Sequence, residues 1–256
     1  MTINSLKLLA SLTSVAALTP NAQGSPQELN QTSKVCAGRS DHCSVLLDVP
    51  DACASGQCPV AFFFHGHGGS NMNFAHIGAG QGVHEHGYIG VYPQGELYDG
   101  RSGWNDGSMD GNICAWDDFD CQKDPNDGNF SRVIIATLRD MGAGGRVYMW
   151  GGSNGANSVQ IFAANACDDM PIAGISCGWG QLMSKPPRSG PTPFDWNQPA
   201  AAGTAGRPGD GRKIAEQAHH GDADKTIPCV TRSNLRPVSH RCIVCGRRCR
   251  YQGGPR

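Results

Sequence analysis

No aspartate or glutamate occurs after Asp224, no apolar run after residue 18 is long enough to span a membrane, and charged residues are only 17% of this 256-residue chain. The shortage of charge, with a formal net of −1, leaves no electrostatic pull toward nucleic acid or anionic lipid. Low-complexity sequence is also excluded. The 35 glycines and 16 prolines are about a fifth of the residues, below the roughly 25–30% that marks such segments.

What is present supports a packed core. Hydrophobic residues reach 39%, and the length suits one large domain or two small ones. The near-zero net charge hides a split. Residues 1–228 hold 14 Lys/Arg against all 22 Asp/Glu, a balance of −8, whereas residues 229–256 hold seven Arg and no acid.

Residues 1–24 read as a secretory signal peptide. One cation, Lys7, precedes the apolar run Leu8 to Leu18, and Thr19-Pro20-Asn21-Ala22-Gln23-Gly24 offers small residues to a signal peptidase. Eleven apolar-run residues are too few for a membrane anchor, which needs about 20. Export makes the 12 cysteines disulfide candidates. Cys36 and Cys43, Cys53 and Cys58, Cys114 and Cys121, and Cys167 and Cys177 are close in sequence, and spacing leaves the pairing open. His240, Cys242, Cys245 and Cys249 have zinc-ligand chemistry, but oxidation competes for extracellular thiolates and no metal is expected there.

Residues 25–44 are polar and read as a loose segment, followed by an extended edge over Ser44 to Val49. Pro59 to Phe64 is an apolar run ending in a glycine-rich turn, which suits a strand buried on both faces. Asn73 to His86 reads as a crossover helix weakened by its glycines and ended by Gly87. Tyr88 to Tyr92 and Arg146 to Trp150 are further buried strands. Phe130, Ile134, Leu138 and Met141 fall on one helical face. A helix over Gly155 to Ala166 and strands over Ile172 to Ser176 and Lys213 to His219 complete the pattern. Residues 95–129 and 179–212 are long loop excursions. Alternating strands and helices predict an α/β domain over residues 45–228 with a largely parallel sheet.

The chemistry concentrates at three turns. Gly151-Gly152-Ser153-Asn154-Gly155 matches G-x-S-x-G between a strand and a helix, where the serine sits on a sharp turn and the helix N-terminus faces a developing oxyanion. Phe64-His65-Gly66-His67-Gly68-Gly69-Ser70 follows the first buried strand, where a backbone N–H would complete an oxyanion hole. A metal reading of His65 and His67 lacks a partner at fixed spacing. The third turn is His219-His220-Gly221-Asp222-Ala223-Asp224-Lys225-Thr226-Ile227-Pro228. Asp224 is the candidate acid that orients a catalytic histidine, with Asp222 as the alternative, in the chain order serine then acid then histidine.

These three segments, in this order, resemble the secreted α/β-hydrolase esterases of the feruloyl esterase and polyhydroxybutyrate depolymerase group, as does Arg101-Ser102-Gly103-Trp104-Asn105. The similarity runs from about Val45 to Pro228. It implies an α/β-hydrolase fold with helices on both faces of the sheet, disulfide-bearing loop insertions, Ser153 as nucleophile and Asp224 as acid. It also implies an oxyanion hole from the N–H of Asn154 and one from the Gly66 to Gly69 loop, Gly66 and His67 first.

The resemblance stops at Pro228. The group would next supply a further strand, a Gly-His loop bearing the base and a last helix, whereas residues 229–256 form an Arg- and Cys-rich tail whose one histidine is His240. His240 is therefore the candidate base. A frameshift or misjudged intron after Pro228 explains the simultaneous change in charge, pattern and missing base, and the C-terminal part is expected to be missing or aberrant. A basic arm for nucleic acid or acidic polysaccharide is the functional alternative.

The expected activity is that of an extracellular serine esterase acting on feruloyl or acetyl esters of polysaccharide, or on a short-chain polyester, with no cofactor and no nucleic-acid or membrane partner. Trp104, Trp116, Trp179 and Trp196 lie in the excursions, where they would stack on sugars or aromatics or pack the loops onto the sheet. The competing expectation is a catalytically dead carbohydrate-binding protein of the same fold. A calcium loop from Asp117, Asp118, Asp120, Asp124 and Asp127 fails the EF-hand template, so a solvated acidic loop is preferred.

Overall fold

The computed structural model describes residues 17–23, 25–37, 39, 42–98, 100–104, 127–164, 170–179, 215–220 and 243–245. Along the chain come β1 (Gln27–Glu28), α1 (Thr32–Val35), β2 (Val45–Asp48), a 3-10 turn (Asp51–Cys53) and β3 (Val60–Phe64). Then follow α2 (Asn71–Phe74), a π-helical turn (Ala75–Ala79), α3 (Gly80–His86), β4 (Ile89–Pro93), β5 (Glu96–Tyr98) and β6 (Arg101–Gly103). The rest are α4 (Asp127–Asp140), β7 (Val147–Gly152), α5 (Asn154–Ala164), β8 (Ile172–Gly178), β9 (Ala215–His220) and β10 (Ile243–Cys245).

One sheet of eight strands runs in the order β1-β2-β4-β3-β7-β8-β9-β10. β2 is antiparallel to both β1 and β4, and every pairing from β4 to β10 is parallel. This is the α/β-hydrolase fold that the resemblance implies. The two-stranded β5-β6 ribbon stands apart from the sheet.

The period-2 geometry of β3 divides the core. Phe62 and Phe64, both fully buried, join the larger cluster with Ile134 and Leu138 of α4 and Val159 and Phe162 of α5. Phe63 is half-buried on the other face, beside Tyr92 of β4 at 5.1 Å between ring centroids and clustered with Phe74 of α2. The helical face read from the sequence is buried throughout: Phe130, Ile134 and Leu138 of α4, and Met141 just past its end. The crossover helix holds despite its glycines. The Ser70 hydroxyl caps it by accepting the Asn73 N–H, and Gly87 ends it in the left-handed region at φ 67°.

Two expectations are corrected. The extended segment over residues 44–49 is not an edge, because β1, drawn from the stretch expected to be loose, pairs with β2 on its outer side. The loose reading missed that Leu29 is 2% exposed and anchors this stretch in the core. The tail, in turn, supplies a further strand: Ile243-Val244-Cys245 pairs in parallel with Ala218 to His220 of β9. Three residues suffice for a strand when a parallel neighbour provides the hydrogen bonds, and so short a run gives no sequence period.

Disulfides join Cys36 to Cys43 and Cys53 to Cys58. Cys177 is buried in β8, while its candidate partner Cys167 and both Cys114 and Cys121 lie outside the described residues. No described helix is long and apolar enough to cross a membrane.

Within the first disulfide loop, the Arg39 side chain is 7% exposed. Its Nη2 donates to Asp127 Oδ1 at 3.0 Å, its Nε lies 3.0 Å from Glu96 Oε1, and its guanidinium sits 3.9 Å above the Phe130 ring. Glu96 and Asp127 flank the 95–129 excursion, so one cation ties its two ends together. Asp127 thereby belongs to a buried ion cluster; the other four acids considered for calcium lie outside the described residues. Removing one member of such a cluster leaves buried charge uncompensated. Arg39→Met is expected to lower the unfolding free energy by about 3–5 kcal/mol, read from urea denaturation.

Candidate active site

The sharp turn between β7 and α5 carries Ser153. Its φ is +53°, a left-handed value that costs a non-glycine residue about 1–3 kcal/mol and persists only where the surroundings enforce it. The enforcement is visible. The Ser153 N–H donates to Gly178 O of β8 at 2.8 Å, while Ser153 O accepts the N–H groups of Ala156 and Asn157 at 2.9 and 3.2 Å. One side of the turn is thus tied to the sheet and the other to the first turn of α5.

Close backbone approach fixes where this turn sits. A Cβ on Gly155 would lie 2.2 Å from Phe64 O and 2.6 Å from His65 O, so α5 enters against the end of β3. A Cβ on Gly66 would lie 3.1 Å from Ser153 Cβ and 3.7 Å from Ser153 Oγ. The loop after β3 therefore adjoins the serine, as an oxyanion donor must.

Within that loop the N–H groups divide. Gly68 N–H donates to Ser102 O at 2.6 Å and Gly69 N–H to Gly66 O at 3.0 Å, and the Ser102 hydroxyl donates to Gly69 O. Those bonds use up the later donors. The Gly66 and His67 N–H groups make no such bond among the described residues. The His67 side chain is exposed. Asn154 opens α5.

Side chains lock the two halves together. Trp104, at 0% exposure, donates its indole N–H to His65 O at 2.7 Å. Its backbone N–H donates to Asn154 Oδ1 at 2.7 Å, and Asn154 Nδ2 donates to Trp104 O at 3.0 Å. One tryptophan thus bridges the loop after β3 and the turn after β7. Of the two roles considered for Trp104, structure selects packing and removes sugar stacking. Trp179 differs: it is 52% exposed, has φ +54° and meets Trp150 edge-on at 6.4 Å.

His65 is buried beneath the loop. Its Nε2 accepts the Gly95 N–H at 3.0 Å and faces the Gln94 amide at 3.1 Å, while Nδ1 lies 2.8 Å from Gly66 O. Those partners require a neutral ring with the proton on Nδ1. Burial lowers its pKa below 6.5, against a smaller opposing effect of the bond to Gly66 O. His65 is thus a fixed support for the loop, with both ring nitrogens engaged. Sequence reasoning missed Gln94 as its partner, for which no motif exists, and read Trp104 only as a loop aromatic.

Asp224, Asp222 and His240, with Trp116 and Trp196, lie outside the described residues. None of the described residues hydrogen-bonds Ser153 Oγ. His219 and His220 close β9, where His219 is in register with Gly178, whose carbonyl holds the Ser153 N–H.

Two outcomes follow from this geometry. Because the folded chain holds His65 neutral below 6.5, the unfolded chain takes up its proton first. The stabilisation is complete above about pH 6.5 and is lost as pH falls toward the lower folded value. Urea titrations from pH 7.5 to 5 should show this slope, and His65→Gln should flatten it. Gly155→Ala should push α5 off β3, lowering both stability, by about 2–4 kcal/mol, and any reactivity of Ser153 toward an ester probe.

No family model matches the chain, and no curated protein matches it in sequence. Solved structures do. The chain is similar to an acetyl xylan esterase from Aspergillus awamori, with 16% identity over 80% of this chain and 74% of that one and a TM-score of 0.49. It is similar to a poly(3-hydroxybutyrate) depolymerase from Bordetella parapertussis, with 16% identity over 74% and 64% of the two chains and a TM-score of 0.47. A third is Est1E from Butyrivibrio proteoclasticus, with 16% identity over 79% and 80% and a TM-score of 0.45. The strand order and the β7-turn-α5 unit themselves identify the fold as that of the α/β hydrolases.

Proposed function

We propose that this protein is a secreted serine esterase that hydrolyses carboxylic esters through an acyl-enzyme. The observation that carries the reading is the strained turn at Ser153, φ +53°, placed so that a Cβ on Gly66 would come 3.7 Å from the serine hydroxyl. Strain of this kind aims a serine hydroxyl out from the C-terminal end of its strand, where the ends of parallel strands form the reaction crevice.

In the proposed reaction Ser153 Oγ attacks the ester carbonyl as a base takes its proton. The N–H of Asn154 and that of Gly66 or His67 receive the oxyanion, a contribution of roughly 3 kcal/mol per donor. The base returns its proton to the departing alcohol, and water, deprotonated by the same base, releases the acid. Asp224 is proposed to hold the base in its reactive tautomer and His240 to be that base. The substrates proposed are feruloyl or acetyl esters on polysaccharide, or a short-chain polyester. Export is supported by the two disulfides, which persist in oxidising compartments.

The second reading, a non-catalytic carbohydrate-binding protein of the same fold, draws on the sequence after Pro228, which lacks the Gly-His loop expected to bear the base. A fluorophosphonate probe separates the two. An esterase is labelled at Ser153 within minutes and loses activity on p-nitrophenyl acetate by at least about 10⁴-fold in Ser153→Ala. A binding protein stays unlabelled.

A further inference from the structure

Two places suit a signal peptidase, Val15-Ala16-Ala17 at the end of the apolar run and Ala22-Gln23-Gly24 after it, each with small residues before the bond to be cut. Sequence alone does not choose between them. Burial does. Ala17 is exposed, whereas Leu18 is 5% exposed and belongs to the large core cluster.

Asn21 is built into the fold more deeply still. Its backbone N–H donates to Val49 O at 3.0 Å, and its Oδ1 accepts the Val49 N–H at 2.6 Å. Its Nδ2 donates to Ser25 O at 3.0 Å and to Asp48 Oδ1 at 2.8 Å. Asp48 is fully buried. Its other partner is His84 Nε2, 2.6 Å from the same oxygen, and Oδ2 has no hydrogen bond. Loss of residues 18–24 would remove the amide from a buried carboxylate, leave both backbone groups of Val49 unpaired and open the core at Leu18. Each of these is costly in a buried setting.

We propose that the leader is removed by hydrolysis of the Ala17-Leu18 peptide bond, so that the mature chain keeps residues 18–24 as a structural strap. Water supplies the hydroxyl of the new Ala17 carboxyl group and the proton of the new Leu18 amine. The leader then ends at residue 17, seven residues before the boundary suggested by composition. This inference rests on the proposed export of the chain and is independent of its catalytic reading.

The experiment is N-terminal sequencing of the natively secreted protein, with a thermal melt of secreted Asn21→Ala beside it. A mature terminus at Leu18 is expected. A terminus at Ser25 overturns the inference and leaves export standing, whereas retention in cells with an intact leader overturns export as well. Asn21→Ala is expected to melt about 5 °C lower than wild type. An unchanged melting temperature would show that the strap bears no structural role.

Discussion

Backbone contact between the start of α5 and the end of β3 is the constraint on which the site depends. At Gly155 a single added carbon would fall 2.2 Å from Phe64 O, so no other side chain fits without moving the helix. That contact sets the Ser153 turn beside the loop after β3. The hydrogen bonds of Trp104 to His65 O and to Asn154 then brace the same junction from the loop side. Positioning of the Ser153 turn comes from backbone packing and one buried indole.

Polar groups brought into the interior do the same work farther out. Arg39 joins Glu96 to Asp127 across the base of the long excursion, and Asn21 joins the N-terminal strap to Asp48. Buried hydrogen bonds and ion pairs of this kind add little net stability, yet they penalise any arrangement that breaks them. They specify where loosely patterned segments attach to the sheet. Tyr92 completes the set beneath the crossover helix. Its hydroxyl is buried without a partner, and burial, reinforced by Asp48, raises its pKa well above the ordinary phenol range, keeping it neutral beside the carboxylate.

Much of the sheet was legible because its strands are dense in β-branched and aromatic residues and its main helix keeps a regular face. Val60 to Phe64, Ile89 to Tyr92 and Val147 to Trp150 emerge as strands from composition alone, and Phe130 to Met141 as a helix from spacing alone. β1 and β10 were not legible: strands of two and three residues have no period and exist because a neighbour offers hydrogen bonds. The disulfide pairs Cys36-Cys43 and Cys53-Cys58 were open to sequence only as near neighbours, since pairing is a matter of distance in space.

The sequence by itself determined the order of chemical parts: a glycine-rich turn after one strand, G-x-S-x-G after another and an acidic turn after a later one. Those are local properties, encoded by residues that turn, cap or bury a short stretch of backbone. The tertiary structure decided which N–H groups of the Gly66 to Gly69 loop are taken up by internal hydrogen bonds. It also decided that Trp104 braces the interior, that His65 is a neutral support and that Leu18 and Asn21 belong to the fold. Most of the partners involved lie tens of residues away in the chain, and hydrogen-bond satisfaction across such separations leaves no periodic trace in sequence.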